Sequence, residues 1–114
     1  MEKKLEVILN AINKTKGEKI LVYDFTALNP FIDRVVITHA DNLRQVFAIA
    51  NNIRDELKEK GYTIHHFEGS RDSRWILIDA DEIVVHIFLD EERDLYQLER
   101  LYADLPRLES QYNV

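Results

Sequence analysis

The longest apolar run in the chain comprises Trp75-Ile76-Leu77-Ile78 and Ile83-Val84-Val85-His86-Ile87-Phe88-Leu89. It is broken once, by Asp79-Ala80-Asp81-Glu82. Apolar side chains at successive positions of two short segments predict a hairpin that is greasy on both faces, because a sheet wetted on one side alternates apolar with polar. Upstream, Leu5, Ile8, Leu9 and Ile12 keep the spacing of one helical face, and Lys14, Lys16 and Gly17 predict the end of that helix, with Gly17 as its C′ residue. Ile20 to Phe25 reads as a strand closed by the loop Thr26 to Pro30, and Asp33 to Thr38 as a second strand from its β-branched content.

Leu43, Val46, Phe47, Ala50, Ile53 and Leu57 predict a longer helix, opened by an Asn42/Gln45 capping box and ended by Lys58, Lys60 and Gly61. Tyr62 to Phe67 is a weaker third strand, followed by a polar loop from Glu68 to Arg74. After the hairpin, Asp90 caps a last helix with Glu91 and Glu92 at its positive end and an apolar stripe of Leu95, Leu98, Leu101 and Leu105. Pro106 stops it, and Arg107 to Val114 is expected to fray. The order α-β-β-α-β-β-β-α predicts one α/β domain over residues 1–114: a mixed sheet of about five strands carrying three helices.

Cover then becomes the question. Three helices cover one face of such a sheet well and two faces poorly. Ile76 and Ile78, with Ile83, Val85, Ile87 and Leu89, form the aliphatic and therefore core side. Trp75, Leu77, Val84, His86 and Phe88 fall on the other side, which either a helix or the tail covers, or a partner does. Tyr96 stands on the charged side of the last helix, where no core residue is expected.

Composition narrows the classes. At 114 residues, 46% hydrophobic and 32% charged, the chain suits one compact domain. It has no cysteine, which excludes thiol catalysis and Cys-ligated zinc. A net charge of −6 argues against a nonspecific grip on phosphate backbones and favours basic partners. No apolar signal region opens the sequence and no apolar stretch approaches ~20 residues, so a cytoplasmic, membrane-free protein is expected.

Candidate chemistry is sparse. Gly69-Ser70 followed by Asp79 and Asp81 is close to the nucleotidyltransferase pattern, in which a Gly-Ser turn cradles a triphosphate and strand carboxylates hold Mg2+. Here, however, Asp79-Ala80-Asp81-Glu82 reads as the hairpin turn itself, of type I with Asp at its first position, and strand five offers no third carboxylate. His65 and His66 are adjacent and would point to opposite faces of a strand; His86 within an apolar strand reads as a hydrogen-bonded core or interface residue.

Several segments, taken in order, resemble the ribosomal silencing factor family, also called Iojap-like. They are Asp33 to Thr38; Arg44 to Ala50; Glu68-Gly69; Trp75 to Asp79; Val84 to Phe88; and Glu92-Arg93 followed by Tyr96, Leu98, Glu99 and Leu101. The resemblance runs from about residue 19 to residue 102. It implies a nucleotidyltransferase-like fold without catalytic residues, cofactor or metal. It also implies binding to the fourteenth protein of the large ribosomal subunit, which blocks joining of the small subunit and represses translation under nutrient limitation. Members are commonly homodimers when free, and no sequence-specific nucleic-acid binding is implied. Carried over position by position, the family's partner contacts fall on Trp75, Ala80 and Tyr96, with Leu77 and Phe88 on the same face. The chain departs from the family's usual pattern at Ala80, where a large apolar residue is usual, at Asp81, where Gly is, and at Tyr102, where Trp is. The competing expectation is a minimal nucleotidyltransferase using Asp79 and Asp81 with Mg2+.

Overall fold

The structure, a computed structural model, describes residues 1–112 and 114. Its elements are α1 (Glu2–Lys14), β1 (Glu18–Asp24), β2 (Arg34–Ala40), α2 (Leu43–Glu59), β3 (His66–Glu68), β4 (Trp75–Ala80), β5 (Ile83–Leu89), α3 (Asp90–Tyr96), a short α4 (Leu98–Leu101) and a 3-10 turn at Glu109–Gln111. The five strands form one mixed sheet in the order β1-β2-β5-β4-β3. Only β2 and β5 run parallel, so the predicted α/β architecture stands.

Helix ends follow from backbone chemistry. At the end of α1 the N–H groups of Gly17 and Lys16 donate to the carbonyls of Ile12 and Asn13, a Schellman closure in which Lys16, not Gly17, takes the left-handed conformation (φ 59). Gly17 is required for another reason: a Cβ there would lie 2.4 Å from Ile12 Cγ2 and 2.8 Å from Thr38 Oγ1. The Asn42 side chain accepts the N–H of Gln45, giving half of the expected capping box; the Gln45 amide instead donates to the Thr15 carbonyl and ties α2 to the end of α1. Gly61, at φ 85, closes α2 as predicted, with Tyr62 N–H donating to Leu57.

One face of the sheet carries the main core. Val22, Val36, Ala40, Ile76, Ile78, Ala80, Ile83, Val85 and Ile87 pack beneath α1 (Leu5, Ile8, Leu9, Ala11, Ile12) and α2 (Val46, Ile49, Ala50, Ile53, Leu57). A smaller cluster on the opposite face is built on Tyr23, Val35, Ile37 and Phe88.

The C-terminal third departs from expectation in two ways. The apolar stripe does not continue through one helix, because Gln97 adopts φ 50 and breaks it between α3 and α4. Leu98, Tyr102 and Leu105 therefore turn onto the second face, while Leu95 and Leu101 stay 70% and 73% exposed. The expected fraying of residues 107–114 is also corrected. Leu108 N–H donates to the Val22 carbonyl, Asp24 N–H to that of Pro106, and Val22 N–H to Glu109 Oε1, so the tail occupies the open edge of β1. Leu108 and Tyr112 pack on the main core, and Asn113 lies outside the described residues. The third strand is shorter than the predicted Tyr62 to Phe67, comprising only His66–Glu68.

Candidate functional site

The strand register builds the second face. Trp75 lies opposite Phe88, Leu77 opposite His86 and Asp79 opposite Val84, while β2 sets His39, Ile37 and Val35 beside Phe88, His86 and Val84. The break at Gln97 decides which part of this face is covered. Leu98, Tyr102 and Leu105 pack over the β1–β2 half, where the Tyr102 ring meets Tyr23 and Phe25 edge-on at 5.5 and 5.2 Å. Leu77 and Trp75, on the β4 half, remain half-buried and line a groove of about 480 Å3 with Glu68, Gly69 and Ser73.

Trp75 is the centre of this open half. Its ring lies 4.7 Å from Phe88, 4.8 Å from Tyr96 and 5.7 Å from His86, centroid to centroid. Its indole N–H donates to His86 Nδ1 at 3.0 Å. The imidazole is therefore neutral with its proton on Nε2, and burial pushes its pKa down to about 4. Phe88, at 1% exposure, forms the floor beneath Trp75, and Tyr96, at 52%, forms the outer wall. A half-buried Trp in ring contact with an exposed Tyr matches the anchors that dominate protein interfaces. The border is acidic: Glu68 and Asp79 flank the groove on the sheet, and α3 adds Asp90, Glu91, Glu92 and Asp94. Arg74 is the neighbouring cation, 3.9 Å from Glu92.

The structure thus brings Trp75, Tyr96, Leu77 and Phe88 together on one face, with Phe88 as support and not as accessible surface. Ala80 does not join them. It is fully buried in the main core with Ile76 and Ile78, on the opposite side of the sheet, so the expectation that it shares the aromatic face is corrected. The alternation along β4 already contained that answer.

The hairpin tip is a two-residue turn with Asp81 at φ 64, which excludes the type I turn expected there. Asp81 supplies the left-handed conformation itself, and the Asp79 carboxylate accepts its N–H. Lys4 of α1 clamps the tip from the core side: its buried Nζ donates to the Ala80 carbonyl at 2.5 Å and to Glu82 at 2.8 Å, and lies 4.0 Å from Asp81. Among the described residues, no group of three or more His, Asp or Glu side chains is arranged to hold a metal ion. At the Gly69-Ser70 turn, Ser70 N–H is already taken by Ser73 Oγ, and a Cβ on Gly69 would lie 2.7 Å from Ile76, so this glycine admits close packing on β4.

Sequence reasoning missed two buried polar residues, His39 and Arg93, each 5% exposed, which join α3 to the sheet. Periodicity carries no signal for such a pair, since the partners are 54 positions apart.

Fold and site together define a small α/β protein whose most developed surface is an aromatic face with an acidic border. The comparisons with known proteins place it further. The sequence profile of the family described as "Ribosomal silencing factor during starvation" matches residues 1–113. A ribosomal silencing factor from Halalkalibacterium halodurans is 34% identical over 105 residues, covering 92% of this chain and 90% of its own length. One from Bacillus subtilis is 35% identical over 102 residues, covering 90% and 86%. A crystal structure of a Chromobacterium violaceum protein is similar at TM-score 0.84 and 34% identity, covering 90% of this chain and 85% of that one. The chain belongs to the ribosomal silencing factor family.

Proposed function

We propose that this protein docks on the large ribosomal subunit through the Trp75–Tyr96 face, contacts the subunit's fourteenth protein, and represses translation by keeping the small subunit from joining. The observation that carries the reading is the Trp75–Tyr96 ring contact on the uncovered half of an otherwise packed sheet. A ribosomal protein, positively charged to hold RNA, complements the acidic border. The action is occlusion and needs neither cofactor nor catalysis. The reading places the protein in the cytoplasm and, away from the ribosome, in a homodimer. Among the described residues, no helix is long and apolar enough to cross a membrane.

Truncating Trp75 or Tyr96 to Ala should weaken cosedimentation with large subunits by roughly 10- to 100-fold each, the loss of an aromatic anchor worth about 1–3 kcal/mol. If both variants fold and bind as the wild type does, this face is not the docking surface. Sizing the free protein, then adding large subunits, tests the dimer. Transfer from a labelled nucleoside triphosphate that vanishes in Asp79→Asn would replace the whole reading with an enzymatic one.

A further inference from the structure

α3 is a weak helix by itself: seven residues, no side-chain cap, with Leu95 and Tyr96 on its outside. Yet it carries Tyr96 onto Trp75. Its one buried residue is Arg93. Arg93 Nη1 donates to the carbonyls of Lys19 at 2.8 Å and Glu18 at 3.4 Å, and lies 2.8 Å from Nδ1 of His39; Nε is 3.5 Å from Glu99. A guanidinium can only donate, so His39 Nδ1 must offer a lone pair, and the imidazole proton sits on Nε2, 3.6 Å from the Asp90 carboxylate at the start of α3. Lys19 itself is held at φ 45, in a strand whose register with β2 shifts between Glu18 and Leu21, which turns the two carbonyls toward Arg93.

We propose that Arg93 and His39 form a clamp that positions Tyr96 over Trp75, and that protonation of His39 opens it. A protonated Nδ1 would face Nη1 donor to donor, with two like charges at 2.8 Å, and would leave the Arg93 fork only the Lys19 and Glu18 carbonyls of β1. The groups around His39 set where this happens. From α3 come Arg93, which opposes protonation, and Asp90, which favours it; from β1 come Lys19 and Glu18 with the same opposed effects; β5 contributes the apolar Phe88. Burial outweighs these, so His39 takes up its proton below 6.5 and the clamp is closed at neutral pH. The effect on partner binding rests on the docking reading above; the effect on the face itself does not.

Trp75 is the only tryptophan, so its emission reports this contact directly. With the whole chain, Arg93→Ala should shift Trp75 emission as Tyr96→Ala does, and combining the two should add nothing further. The wild type should show the same shift on acidification below pH 6.5. His39→Asn, whose Oδ1 accepts from Arg93 but cannot protonate, should lose the part of this response that His39 contributes and keep the part that comes from His86. Emission in Arg93→Ala that matches the wild type, or identical acid titrations for wild type and His39→Asn, would overturn the clamp. If Arg93→Ala fails to fold, the titration pair decides alone. Cosedimentation with large subunits forms a separate arm: emission changes as expected with unaltered binding leave the clamp standing and remove the docking reading.

Discussion

A methyl group at position 17 has nowhere to go. It would meet Ile12 and Thr38, both buried, and Thr38 Oγ1 is already committed to the Glu18 carbonyl at 2.8 Å. Gly17→Ala should therefore destabilise the fold by about 1–3 kcal/mol, by overpacking and not by backbone strain, and urea denaturation with an unchanged midpoint would refute this. His86 gives a second test. Its pKa falls from 6.5 to about 4 in the fold, so the unfolded chain binds the proton first as pH drops. Stability held above pH 6.5 is lost through that window, by up to about 3 kcal/mol. Urea midpoints of the wild type should fall from pH 7 to pH 4 more steeply than those of His86→Phe; parallel declines would refute the assignment. At this scale the sequence carried Trp75, Leu77 and Tyr96, because an aromatic on a half-covered strand and a tyrosine on a charged helix face both lack a core explanation. It misplaced Ala80, although strand parity put that residue beside Ile76 and Ile78. Arg93 and His39 left no trace, since charged and polar residues on a short helix and a strand end ordinarily face water.

The elements read most reliably were those whose period and caps agree: α1, α2 and the β4–β5 hairpin. The last helix was misread because Leu95, Leu98, Leu101 and Leu105 do keep helical spacing, so only the tertiary structure shows the break at Gln97. Its cause lies in the sheet. Tyr23 and Phe25 present an apolar strip that Leu98, Tyr102 and Leu105 cover once the chain turns, and Leu95 and Leu101 are left in solvent as a consequence. The tail was misread for a related reason: it has no pattern of its own and gains order from an edge strand with unpaired N–H and C=O groups. Removing residues 106–114 would strip the Val22 and Asp24 amides of their partners and uncover the surface beneath Leu108 and Tyr112. The expected result is a loss of about 2–4 kcal/mol and self-association through β1, read from urea melts and size-exclusion profiles. A truncated chain that stays as stable as the full one would show that the tail only rests on the edge.

For the whole molecule, a net charge of −6 and the acidic border of the Trp75–Tyr96 face should act on different steps of binding. Long-range attraction to a basic surface speeds encounter and is screened over about 10 Å at moderate salt. The aromatic pair, desolvated if it is the contact proposed above, should act on residence time instead. Raising salt should thus lower the association rate with large subunits far more than it raises the dissociation rate, while Trp75→Ala should do the reverse at any salt. Charge exchange at Glu91 and Asp94, which lie on α3 beside Tyr96 and make no contact with the core, should mimic high salt. Stopped-flow or surface-capture kinetics on purified subunits separate the two rates. If salt changes only dissociation, or Trp75→Ala changes only association, then the acidic border and the aromatic pair do not divide the work in this way, and the docking face must be sought elsewhere on the molecule.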